Sequence, residues 1–180
     1  MPHHRLLRPV LAVSAVAITS LFLISLTLSD HYTVTRSITI QTSPERIFDL
    51  LETPREWRKW GAWNQRDPQM TVQYAGPERG RDAAWSWQGG RSGNGNAIIT
   101  RTAKPNELHY IIRLQSTGTD AEGTFRLERG NQSTRVTWSM EGHLGDNPLY
   151  RYFGLFADRL MGPDLELSLT NLKTFTEKGK

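Results

Sequence analysis

The chain has 180 residues, room for one domain of ordinary size beside a targeting segment, and a formal net charge of +4. Arg5 and Arg8 precede an uncharged run and no acidic residue precedes Asp30, so the remainder carries about +2; no Lys/Arg run of five or more is present, and nucleic acid is not an expected partner. The lack of cysteine excludes disulfides, thiolate metal sites and cysteine nucleophiles together.

The N-terminus "MPHHRLLRP" (1–9) is short and basic, and Val10 to Ser29 then runs without a charge. A stretch of roughly 20 residues just crosses a bilayer core, and it is longer than the apolar region of a cleaved signal. The small residues before Asp30, Thr27 and Ser29, match a cleavage site poorly. The segment 10–29 is therefore expected to be an uncleaved transmembrane anchor. Basic residues ahead of it place the N-terminus in the cytoplasm, so the domain over 30–180 is expected outside the inner membrane, tethered to it.

"HYTVTRSITIQ" alternates Tyr32, Val34, Ile38 and Ile40 with threonine and serine, which predicts a strand. Ser43 and Pro44 suit a helix N-cap and first turn, and Ile47, Leu50 and Leu51 form its apolar stripe. Thr53-Pro54 ends that helix, and Pro54 can open a second short one through Trp60. From Met70 onward, six segments of alternating character, each closed by turn residues, predict an antiparallel meander. Leu165, Leu169, Leu172 and Phe175 recur at helical spacing near the end. Gly162-Pro163 interrupts that pattern, so Leu149 to Met161 is expected to be a separate piece. Two short helices cannot cover a seven-stranded sheet, and the last helix must lie across it.

That order, with "SITIQTSPERIFDLLETPREWRKWGAWN", "VQYAGPERGRDAAWSWQGG", "STRVTWSMEG" and "MGPDLELSLTNLK", resembles the SRPBCC, or START-like, superfamily over roughly Tyr32 to Thr176. Ser43-Pro44-Glu45 through Trp57 and Trp60 fits its usual opening. The superfamily includes pollen-allergen-like, polyketide cyclase/dehydrase and lipid-transport members. The resemblance implies an α+β helix-grip fold, with a curved seven-stranded antiparallel sheet around a long C-terminal helix and two short helices after the first strand. It also implies a cavity for an apolar small molecule or lipid, with no cofactor.

Six tryptophans are many for such a domain. Trp57, Trp60, Trp85, Trp87 and Trp138 are the candidate ligand walls, with Trp63 at the rim; Phe153 and Phe156 are counted with them. A packed plug of rings is the alternative reading. His109 and Arg113 share one face of "NELHYIIRL" and are the candidates for acid–base work and anion binding in a cyclase- or dehydratase-like enzyme; Leu108, Tyr110, Ile112 and Leu114 share the other, more apolar face. Five scattered histidines suggest no metal site, and "GGRSGNG" forms neither a nucleophile elbow nor a dinucleotide loop. A membrane-tethered binding module is the leading expectation; an enzyme and a cavity-free interaction domain are the alternatives.

Overall fold

A computed structural model describes residues 3–115 and 120–178. Helix α1 (His3–Thr27) leads into strand β1 (His31–Ile40). Helix α2 (Pro44–Leu51) follows, then a 3-10 turn (Pro54–Glu56) and two single-turn helices, α3 (Trp57–Trp60) and α4 (Ala62–Arg66). The meander is β2 (Thr71–Ala75), β3 (Ala84–Gln88), β4 (Asn94–Ala103), β5 (Glu107–Leu114), β6 (Asp120–Arg129) and β7 (Thr134–His143). A second 3-10 turn (Pro148–Tyr150) opens into the long helix α5 (Arg151–Lys178).

The seven strands form one antiparallel sheet in the order β1-β7-β6-β5-β4-β3-β2. Consecutive strands of the meander are neighbours, and β1 crosses over to pair with β7 along its whole length, from His31 opposite His143 to Ile40 opposite Thr134. Because side chains alternate across a strand, Val136, Trp138 and Met140 face one side together with Phe125 and Leu127 of β6. Leu165, Leu169 and Leu172 of α5 press onto that core. Each such side chain contributes about 1.5–3 kcal/mol when fully buried. This is the helix-grip arrangement that the strand pattern and the resemblance imply.

Two expectations are corrected. The first is the transmembrane span over 10–29. Among the described residues no helix is long and apolar enough to cross a membrane. Helix α1 stops at Thr27, and Ser14, Thr19, Ser20 and Ser25 interrupt its apolar run. Its last turns are held by the domain instead: Tyr152 Oη donates to the Leu21 carbonyl at 2.6 Å, and Arg151 Nη1 to those of Leu26 and Leu28 at 3.1 and 3.3 Å. The single-pass inner-membrane placement, the extracytoplasmic domain and the bilayer as a partner fall with the span. Met1 and Pro2, the start of the basic segment 1–9, lie outside the described residues.

The second correction concerns Gly162-Pro163, which does not divide the C-terminal segment. Helix α5 runs unbroken from Arg151 to Lys178 with Pro163 inside it. Proline costs a helix one hydrogen bond and some crowding, but tertiary contacts can hold the helix together. Here Arg36 of β1 grips the helix on the N-terminal side of the proline, with its guanidinium paired to both carboxylate oxygens of Asp158 at 2.7 and 3.1 Å. Gly162 makes room for it: a Cβ there would stand 2.0 Å from Arg36 Nη2.

Candidate functional site

A cavity of about 290 Å³ opens between the sheet, α3–α4 and α5. Strand β3 supplies Trp85 and Trp87, two apart and so on one face. Val72 and Tyr74 of β2 sit directly opposite Trp87 and Trp85 and complete that wall. From the middle of the sheet come Tyr110 and Ile112 of β5 and Trp138 and Met140 of β7. Trp57 and Trp63 close the helical side, and Met161 and Leu165 of α5 form the roof.

Trp57 is the hub of the rings. Its ring centroid lies 4.9 Å from Trp85, 5.1 Å from Trp60 and 5.0 Å from Tyr110, the last at 90°. These are separations and tilts at which aromatic pairs attract. Trp57 Nε1 donates to the Leu51 carbonyl at 2.8 Å, which locks the ring to the end of α2. Within the wall, Tyr110 Oη accepts from Trp138 Nε1 at 2.9 Å and donates to Met140 Sδ at 3.0 Å. Complete burial pushes the Tyr110 phenol far above its ordinary range, so it stays a neutral hydroxyl.

At one end of the cavity the β3–β4 turn is held by Asp67. Its Oδ2 accepts the backbone N–H groups of Arg91 and Ser92 at 2.9 and 3.1 Å. Those bonds, Ser92 first and Arg91 second, hold the carboxyl below its usual range. Gly89 permits the contact, since a Cβ there would stand 2.4 Å from the same oxygen.

Trp57, Trp85, Trp87 and Trp138 thus meet around one space, with Trp63 beside them. Trp60 does not line it: the ring is fully buried behind, against Trp57, Trp63, Phe125 and Trp138. Phe153 and Phe156 are on the outside of α5, 42% and 54% exposed. His109 and Arg113 occupy the opposite face of β5 from Tyr110 and Ile112. There His109 contacts Glu107, Glu122 at 3.2 Å, Thr124 at 3.1 Å and Arg101 at 2.6 Å. Arg113 pairs with Asp120 through two bonds, at 2.5 and 2.7 Å. Asp120 and Thr124 stand directly across from Arg113 and His109 on β6, so these are cross-strand pairs on the outer face.

Sequence reasoning did not name Tyr74, Met140, Arg58 or Ser92 as site residues. The signal for Tyr74 was its two-residue step from Val72 on a strand that pairs with the Trp85–Trp87 face. Among the described residues one trio has metal-ligand atoms close together, Asp30, His31 and His143. His31 Nδ1 lies 2.6 Å and His143 Nε2 3.4 Å from the Asp30 carboxylate. His143 Nδ1 accepts the Gly145 N–H at 2.9 Å, which puts the proton of a neutral ring on Nε2, facing Asp30. Within the trio, Asp30 is hydrogen-bonded to His31, and His143 stands at ion-pair distance.

Sheet, gripping helix and ring-walled space together define a helix-grip domain with an internal, mainly apolar cavity. Residues 31–177 match the family described as polyketide cyclase / dehydrase and lipid transport, and the chain belongs to that family. Solved structures share the fold at low identity. Protein MLL2253 from Mesorhizobium loti is 16% identical with a TM-score of 0.59, the match covering 82% of this chain and 98% of that one. Ara h 8.0201 is 12% identical with a TM-score of 0.59, over 82% and 99%. Protein Ms6760 from Mycobacterium smegmatis is 12% identical with a TM-score of 0.56, over 85% and 99%. No curated protein matches the chain in sequence.

Proposed function

We propose that the domain is a binding module that holds an apolar small molecule between the sheet and α5. The observation that carries this reading is the space itself. Trp57, Trp85, Trp87 and Trp138 are each less than a tenth exposed, yet they surround about 290 Å³ that no side chain fills. Interiors normally close to crystal-like density, so an unfilled space walled by large rings is an expense a plain core avoids. The volume lies at the lower edge of small-molecule sites, roughly 300–1,000 Å³. A ring-system body therefore suits it better than a two-chain lipid. The family's lipid-transport and cyclase/dehydrase description is in keeping with such a ligand. The acid–base candidates His109 and Arg113 face away from the space, and that favours holding over chemistry.

The test is titration with the neutral apolar fluorophore N-phenyl-1-naphthylamine, read through energy transfer from tryptophan. Saturable binding at one site per chain is expected, with loss on Trp85→Ala. A full-length chain that shows no saturable binding overturns the reading.

A further inference from the structure

The cavity is not apolar throughout. Tyr74 Oη and Ser92 Oγ are buried side-chain atoms with no hydrogen-bond partner among the described residues, and both residues line it. A buried hydroxyl left unpaired is costly, and such groups in a site are commonly completed by what binds there. The two lie at different ends, because Tyr74 pairs with Trp85 while Ser92 follows the far end of β3, which is about 10 Å away at strand rise.

Charge separates the two ends. Around Ser92 there are carboxylates: Asp164 is ion-paired with Arg66, and Asp67 takes the backbone N–H groups of Arg91 and Ser92. Around Tyr74 stand arginines instead. Arg58 lines the cavity beside it, and Arg55 stacks over its ring with Cζ 4.3 Å from the centroid. Neither arginine has a carboxylate partner among the described residues, since Glu56 between them is taken by Lys59 at 2.6 Å. Burial raises the Tyr74 phenol, and the charges that act on it are the two cations Arg58 and Arg55, which pull the other way.

We infer that the ligand is an anionic amphiphile: a ring-system body among the tryptophans, with an oxyanion head held by the Arg58 guanidinium and the Tyr74 hydroxyl. Tyr74 donates the one hydrogen bond its oxygen now lacks a partner for. Arg58 supplies the charge-assisted bonds, in the planar fork that suits a carboxylate, sulfonate or phosphate. Arg58 is exposed as well as cavity-lining, so the head sits at the mouth and keeps part of its hydration. Arg55, stacked over the Tyr74 ring, holds it in place.

This rests on the binding reading above, and a matched probe pair separates the two. N-phenyl-1-naphthylamine and 1-anilinonaphthalene-8-sulfonate share their rings and differ by one sulfonate. On the full chain the sulfonate should bind roughly tenfold more tightly than the neutral probe, the scale of a hydrogen bond to a charged group. Arg58→Gln and Tyr74→Phe should each bring the ratio of the two affinities towards one; Tyr74→Phe keeps the ring beneath Arg55. Equal binding of the two probes by the parent chain overturns the anionic head and leaves the cavity reading standing. A sulfonate preference that survives both substitutions also overturns it. Failure of both probes to bind ends both readings at once, and binding of the neutral probe alone ends only the anionic head.

Discussion

Tyr110 and Gly123 stand directly opposite one another on β5 and β6, and the tyrosine ring lies over the glycine so closely that a Cβ there would be 2.0 Å from its Cζ. The glycine is thus part of the ring cluster although it has no side chain. Tyr110 is packed by Trp57, Trp85 and Phe125 and bonded to Trp138 Nε1, so displacing its ring breaks those contacts.

Gly123→Ala is therefore an overpacking substitution in the centre of the sheet. It should lower stability by about 1–3 kcal/mol, the usual cost of inserting volume that forces a packed side chain to shift. Thermal unfolding reads it directly. An alanine variant as stable as the parent would mean that the ring is not held where the structure puts it.

The Tyr110 hydroxyl makes a separate prediction. It accepts from Trp138 Nε1, and Tyr110→Phe leaves that buried N–H without a partner, at a cost of about 1–3 kcal/mol. Replacing both partners removes the orphan, so Trp138→Phe combined with Tyr110→Phe should cost less than the sum of the single substitutions. Urea unfolding of the four-member cycle measures the coupling. Strict additivity would sever the proposed pair.

Asp67 ties stability to pH. Its folded pKa is depressed by the Ser92 and Arg91 N–H groups, so its contribution is present above the unfolded value of about 3.9 and is lost as pH falls through the folded value. The affected window lies at and below about pH 4. Asp67→Asn should lower stability at neutral pH and flatten the acid limb of the stability profile, as followed by urea midpoints. An asparagine variant that keeps the parent's full acid dependence would remove Asp67 from that role.

The β-texture was open to reading because its signal is local. Alternation of Val136, Trp138 and Met140, or of Tyr32, Val34, Ile38 and Ile40, depends on nothing beyond the strand itself. The same holds for the Leu165, Leu169 and Leu172 stripe. Features decided by distant partners were not readable. Whether α5 continues through Pro163 depends on Arg36 more than a hundred residues earlier, which packs on Gly162 and Asp158. The fate of Val10 to Ser29 is likewise not a matter of local composition alone, since the end of α1 is bonded to Arg151 and Tyr152 near the other end of the chain. Tyr74 and Arg58 reach one cavity only because β2 is laid against β3 and α3 folds back over it. Trp57 and Trp60 share a spacing of three, yet one walls the space and the other backs it against Phe125 and Trp138.

That difference between neighbours is the sharpest test of the site. Trp60 is fully buried among rings and does not line the cavity, so Trp60→Ala removes packing on all sides and should cost about 3–5 kcal/mol. Its Nε1 has no partner among the described residues, so no hydrogen bond is lost with it. Trp85 faces the unfilled space on one side, where there are no atoms to lose contact with, and Trp85→Ala should cost less than that. Probe binding should order the two oppositely. Trp85→Ala enlarges the space and strips a wall, weakening N-phenyl-1-naphthylamine clearly while the thermal midpoint falls modestly. Trp60→Ala should unfold at a much lower temperature, with binding retained at temperatures where the variant is still folded. If both substitutions cost the same stability and neither alters probe binding, the rings form one continuous core and the space between them holds no ligand.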